Sequence, residues 1–189
     1  MGKASGADLA TTDWIDPVEL RHLLAALMPE NRLALEISLA TGMRIGDVLN
    51  LRTEAVRAAT SGRLGIRELK TGKNRRIYLP TELRDRCLRY AGKLFVFEHR
   101  HSPDRSRTRQ AVWKDLKRVA RAFRCRANVA PHSARKAYAV EKYQQGDGKR
   151  LKELLGHSSE AVTMLYALAD ELTRRKLKGT RPTGIRPSP

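Results

Sequence analysis

Three short segments hold the side chains best suited to binding an oxyanion, moving a proton and forming a covalent bond. Ala40-Thr41-Gly42-Met43-Arg44-Ile45-Gly46-Asp47-Val48-Leu49 carries Arg44, and Pro131-His132-Ser133-Ala134-Arg135 carries His132 and Arg135. Leu154-Leu155-Gly156-His157 is followed nine residues later by Tyr166. An arginine offers a planar, permanently charged fork that donates two parallel N–H bonds to an oxyanion, which lysine cannot do. Histidine exchanges a proton near neutrality, and a tyrosine phenol can act as a nucleophile that stays attached to what it attacks. Lys70-Thr71-Gly72-Lys73 adds two cations in what reads as a turn. Each residue alone has an ordinary reading. Arg44 suits a surface position, His132 behind Pro131 suits a helix cap, and His157 behind Gly156 suits a loop. Tyr166, between Leu165 and Leu168, suits a core aromatic. Lys70 and Lys73 suit a solvated hairpin tip. What the residues mean rests on their order and spacing together.

Charge narrows the partner. Lys plus Arg number 38 against 20 Asp plus Glu, a formal net charge of +18. Self-repulsion at that level opposes compaction and goes with a polyanionic partner. The cations run along the whole length, as a surface following phosphates requires, rather than along one amphipathic helix suited to a membrane. A polyanion partner of this kind is a nucleic acid. The chain has no apolar run long enough to span a bilayer and no basic-then-apolar leader, so a soluble, cytoplasmic protein is expected. Cys87 and Cys125 stand apart, without partners at metal-ligand spacing, which predicts neither disulfide nor metal site.

The elements that must carry these residues are mostly helices. Asp16-Pro17-Val18-Glu19 reads as an N-cap and first turn, followed by Leu20, Leu23, Leu24 and Leu27 at helical spacing. A second helix is predicted from Asn31 to Thr41, stopped by Gly42, and a short third through Ile45, Val48, Leu49 and Leu51. The period then shortens: Leu64, Ile66 and Leu69, then Ile77 and Leu79, alternate about a Gly-containing loop and predict a β-hairpin. Thr81 to Tyr90 reads as helix, Phe95-Val96-Phe97 as a short third strand, and the basic stretch from His99 to Arg107 as loop. Further helices are predicted over Arg109–Arg124, His132–Gln145, Lys149–Leu155 and Ser159–Ala169. The fold class is mainly α with a small antiparallel sheet (α+β). Residues 1–13 are expected to form a flexible tail, 14–178 the domain, and 179–189 a disordered tail.

Taken together, the three segments resemble the tyrosine recombinases, the phage integrase family, over residues 14 to 172. That family shows an Arg after a Thr-Gly turn, a His-x-x-Arg opening a helix, a Leu-Gly-His some two dozen residues on, and a Tyr soon after. Here His157 follows Arg135 by 22 positions. The resemblance implies a catalytic domain in which Tyr166 attacks the scissile phosphate to give a 3′-phosphotyrosyl link. Arg44 and Arg135 would grip the non-bridging oxygens, and His132 and His157 would donate further hydrogen bonds. Lys70, with Lys73 as the alternative, would protonate the departing 5′-oxygen. Asp47 would orient the site rather than react. The resemblance implies no cofactor and no metal. Its partner is double-stranded DNA, bound by a tetramer on paired sites and by a monomer otherwise, in the service of a phage or transposon. The family's N-terminal DNA-clamping domain has no counterpart in the short segment before the first helix, through trimming or natural minimality.

Two other functions fit parts of this pattern: a catalytically silent integrase fragment that only binds DNA, and a type IB topoisomerase relative. Filled catalytic positions argue against the first, and the form of the His-x-x-Arg and Leu-Gly-His segments against the second. Trp14 and Trp113 are expected in the core or against DNA, and His22, His99 and His101 at the surface. Arg105, Arg107 and Arg109 are candidates for phosphate contacts or for solvated charge.

Overall fold

The computed structural model describes Ile15, residues 17–145, Leu151 and Leu155. His157, Tyr166, both predicted tails and the helix predicted over 159–169 lie outside the described residues, as does most of that over 149–155. Within that span the helices are α1 (Pro17–Ala25), α2 (Pro29–Thr41), α3 (Ile45–Leu49), α4 (Thr53–Ala58), α5 (Thr81–Tyr90), α6 (Arg109–Ala122) and α7 (His132–Gln144). The strands are β1 (Arg63–Arg67), β2 (Asn74–Tyr78), β3 (Glu98–His99) and β4 (Ser102–Ser106).

The apolar stripe of α1 is buried as its spacing requires: Leu20, Leu23, Leu24 and Leu27 are all in the core. They meet Leu33, Leu35 and Ile37 of α2 and Val112, Leu116 and Val119 of α6. Helix α2 runs through the middle of the molecule, packed on α1, α3, α5, α6 and α7. It ends at Gly42, whose φ of 67° is left-handed and whose N–H returns to the Ser38 carbonyl. A side chain at Gly42 would also strike the Tyr138 ring, 2.6 Å from where its Cβ would sit. Glycine is required there twice over, once by backbone conformation and once by the close approach of α7.

The hairpin forms as predicted, with β1 and β2 antiparallel and Leu64 opposite Ile77. Three expectations change. Leu69, read as a strand residue, lies past the end of β1 and is exposed. Phe95-Val96-Phe97 is not a ladder strand: all three side chains are buried, and the backbone makes one isolated antiparallel bridge, Phe95 with Arg52, and single bonds that include Val96 N–H to Leu51 O and Arg107 N–H to Phe97 O. Such an apolar run is buried on all sides, and burial of that kind does not distinguish strand from irregular core segment. The second sheet, β3 with β4, forms instead within the stretch read as loop. Helix α4 is the other addition. It is a single short run with only Thr53 and Val56 buried, too short to show a period.

Candidate functional site

The turn after α2 assembles the site. Gly42 reverses the chain, and Arg44 takes the N-cap position of α3 in extended backbone conformation (φ −68°, ψ 143°). That leaves its side chain, 11% exposed, to reach the end of the hairpin, where Nη1 donates to Glu68 Oε2 at 3.1 Å. From the other side α7 delivers Arg135, one turn in from its start. Arg135 is fully buried; Nη1 donates to Gly42 O at 2.8 Å and Nη2 to Leu155 O at 2.7 Å. Arg135 therefore ties the Gly42 turn to Leu155, two residues before His157 in the chain. His132 opens α7 one turn before Arg135, on the same helical face, and is half-buried.

The loop after β1 closes the site. Asp47 of α3 accepts the Leu69 N–H at 2.9 Å, which docks the residue next to Lys70 onto the helix that begins beside Arg44. Burial is the largest influence on Asp47 and pushes its carboxyl above the ordinary range. The Leu69 hydrogen bond and the charges of Arg44 and Arg135 oppose that shift, while Glu68 adds to it. Lys70 and Lys73 are both exposed at the loop. The loop is pinched shut by Glu68 N–H to Lys73 O and Gly72 N–H to Glu68 O, with Gly72 left-handed at φ 67°.

Two residues of this site escaped the sequence reading. Glu68, its side chain 1% exposed, lies between Arg44 and Arg75, whose Nη1 is 3.6 Å from Glu68 Oε1. It also accepts the Thr71 hydroxyl at 2.8 Å. Arg75 of β2 reaches back to α2, donating from Nη2 to Thr41 O at 3.0 Å, and burial lowers its pKa. A signal was available: Glu68 is the lone acid among Arg63, Arg67, Lys70, Lys73, Arg75 and Arg76 of the hairpin. The structure thus brings Arg44, Asp47 and Arg135 around one turn, with His132 one helical turn away and the Lys70 loop tied to Asp47 through Leu69. Such an array of fixed guanidinium groups in a poorly solvated place suits an oxyanion.

Other candidates resolve differently. Arg107 is engaged by Asn31, Nε to Oδ1 at 2.7 Å, and Arg105 is exposed beside Asp104. Trp113 is partly exposed rather than in the core, with the Lys117 ammonium 5.8 Å from its ring centroid. Among the described residues no group of three or more His, Cys, Asp or Glu is placed to hold a metal ion. No helix among them is long and apolar enough to cross a membrane.

Known proteins resemble this chain in sequence and in fold. The chain is 29% identical over 159 residues to the tyrosine recombinase XerA of Thermococcus kodakarensis and 30% identical over 156 residues to that of Pyrococcus furiosus. Each match covers 78% of this chain, and 55% and 52% of those proteins, so the chain spans about half their length. In fold it is similar to the catalytic domain of bacteriophage HP1 integrase, with a TM-score of 0.62 and 21% identity, over 91% of this chain and 96% of that one. The phage integrase family itself matches residues 13–172, and the chain belongs to that family.

Proposed function

We propose that the chain is the catalytic part of a site-specific DNA recombinase that cuts and rejoins duplex DNA through Tyr166. The observation that carries this reading is the convergence of Arg44 and Arg135 on the Gly42 turn, in a chain whose family match includes Tyr166. The phenolic oxygen of Tyr166 forms a bond to the scissile phosphorus as the bond to the 5′-oxygen breaks. The product is a 3′-phosphotyrosyl link and a free 5′-hydroxyl. The ester conserves the energy of the broken bond, so rejoining needs no nucleotide. Arg44 and Arg135 stabilise the charge that builds on the non-bridging oxygens, and His132 and His157 donate further hydrogen bonds there and take up the phenolic proton. Lys70 supplies the proton that the 5′-oxygen gains. The Asp47–Leu69 bond, which anchors the loop next to Lys70, favours it over Lys73 for that role.

The partner is double-stranded DNA, engaged by four protomers on two sites, with a monomer in its absence and exchange of a segment near residues 168–178 between neighbours. The work would be done in the cytoplasm, at the nucleoid, in mobilising a phage or transposon. The test is a nicked duplex carrying the junction that flanks the gene, mixed with the protein and examined for an SDS-resistant adduct. The wild type should form the adduct and Tyr166→Phe should not. Salt-sensitive binding to that duplex with no adduct would favour a DNA-binding fragment. Adduct formation and relaxation on DNA lacking paired sites would favour a topoisomerase.

A further inference from the structure

Glu68 lies outside the three motif segments and at the centre of the cluster they form. A carboxylate buried to this degree is unfavourable unless donors compensate it. Its donors are Arg44 Nη1 at 3.1 Å and Thr71 Oγ1 at 2.8 Å, both to Oε2, and the Arg75 guanidinium forms an ion pair with Oε1 at 3.6 Å. Its backbone closes the loop that holds Lys70, through Glu68 N–H to Lys73 O and Gly72 N–H to Glu68 O. One residue therefore grips the head group of Arg44 and shapes the loop that carries Lys70. A negative charge beside a phosphate-binding arginine weakens attraction for the phosphate, so affinity is not what Glu68 supplies. Arg44, a long side chain at the very start of a five-residue helix, has many rotamers to lose, and a fixed acceptor removes most of them before substrate arrives.

We infer that Glu68 is a positioning residue, whose carboxylate aims Arg44 and couples it to the Lys70 loop so that both cations meet one phosphate. The chemical part rests on the recombinase reading; the hold on Arg44 does not. The test pairs arginine side-chain NMR of the DNA-free protein with single-turnover cleavage of the nicked duplex, for wild type and Glu68→Gln. The Gln variant preserves shape and removes the charge. Its Arg44 Nη signals should collapse towards an average. Its cleavage rate constant should fall roughly tenfold, the usual effect of removing an outer partner of a charged site. Its affinity for uncleaved duplex should be unchanged or tighter.

Arg44 signals that are the same in both proteins, or cleavage by Glu68→Gln at the wild-type rate, would overturn the inference. So would equal losses of cleavage and affinity in step with a lowered melting temperature, which mark a merely structural residue. Collapse of the Arg44 signals in a protein whose wild type forms no adduct would uphold the hold on Arg44 and sink the recombinase reading instead. Should Glu68→Gln fail to fold, Thr71→Val removes one donor at a half-buried position. It should slow cleavage to a smaller extent without weakening binding, and a wild-type rate there counts against the inference.

Discussion

Two clusters in this molecule surround buried carboxylates with arginines, and they are built on opposite terms. Where α1 turns into α2, Asp115 of α6 accepts the Met28 N–H at 2.9 Å, the Asn31 amide at 2.7 Å, and Arg118 through Nε at 3.1 Å and Nη2 at 2.7 Å. Burial is the largest single influence on Asp115 and would raise its pKa. The hydrogen bonds from Asn31, Arg118 and Met28, with the charge of Arg118, together outweigh it and hold the carboxyl below its ordinary range. At the hairpin, Asp47 has the Leu69 N–H as its backbone donor, and burial wins. The first cluster is saturated with donors and fastens three segments of the fold. The second holds acids and guanidinium groups close together where ionising a carboxyl is unfavourable, an arrangement that serves an incoming anion better than it serves stability.

The largest expected effect tests the first half of that contrast. Asp115→Ala strands the Met28 N–H and the Asn31 amide and should cost about 3 kcal/mol at neutral pH, read from urea or thermal melts. Asp115→Asn sharpens the test through pH. Because the folded-state pKa of Asp115 lies below its unfolded value, its contribution is complete above the ordinary Asp range. It is lost as pH falls through the folded value. The gap between wild type and Asp115→Asn should therefore close in acid. A gap that stays constant with pH would show that the ionised carboxylate is not what stabilises this turn.

At the hairpin cluster the fold is secured by backbone rather than by carboxylates. Gly42 is the joint, and Gly42→Ala should cost about 2 kcal/mol, from left-handed strain and from overlap with the Tyr138 ring. Cleavage should suffer more than the melting temperature implies, because Arg44 follows two residues later. Comparable losses in both would mean that the turn positions nothing but itself.

Asp47→Asn should do the reverse of Asp115→Asn. The folded-state pKa of Asp47 lies above its unfolded value, so ionisation opposes folding. That penalty grows as pH rises through the unfolded value and is complete above the folded one. Asparagine keeps an acceptor for the Leu69 N–H and removes the charge. The variant should be at least as stable as wild type at neutral pH, with any difference vanishing in acid. Its strand-cleavage rate should nevertheless fall, since it loses the negative charge that faces Arg44 and Arg135. Destabilisation at neutral pH as large as that of Asp115→Asn would erase the distinction between the clusters.

The same contrast governs what could be read from the sequence. Features set by near neighbours were legible: the stripe of α1, the Gly42 stop and the hairpin, while motif spacing singled out Arg44, His132 and Arg135 as candidates. Features set by distant pairing were not. Glu68 looks like one more charge in a basic hairpin until the fold brings Arg44 to it, and Asp115 gives no sign that Met28 and Asn31 will reach it. Phe95-Val96-Phe97 misled because its pattern reports burial alone, and β3 and β4 form where polar residues lend no period. His157 and Tyr166 rest on the motif, outside the described residues.

The smallest effect separates the donors of Asp115 from one another. Arg118 makes two bonds to Oδ1 and a third, at 3.3 Å, to Ala26 O, so by bond count it dominates the cluster. Its side chain, however, is 59% exposed, against 8% for Asp115. Water solvates the guanidinium whether or not the pair forms, and ordering a long side chain offsets much of the attraction. Arg118→Ala should therefore cost about 0.5 kcal/mol, and less in high salt. Asn31, 1% exposed, joins Asp115 to Arg107 and has no water to replace its bonds, so Asn31→Ala should cost several times as much. Equal losses from the two substitutions would mean that bond count, rather than burial, sets the strength of this cluster.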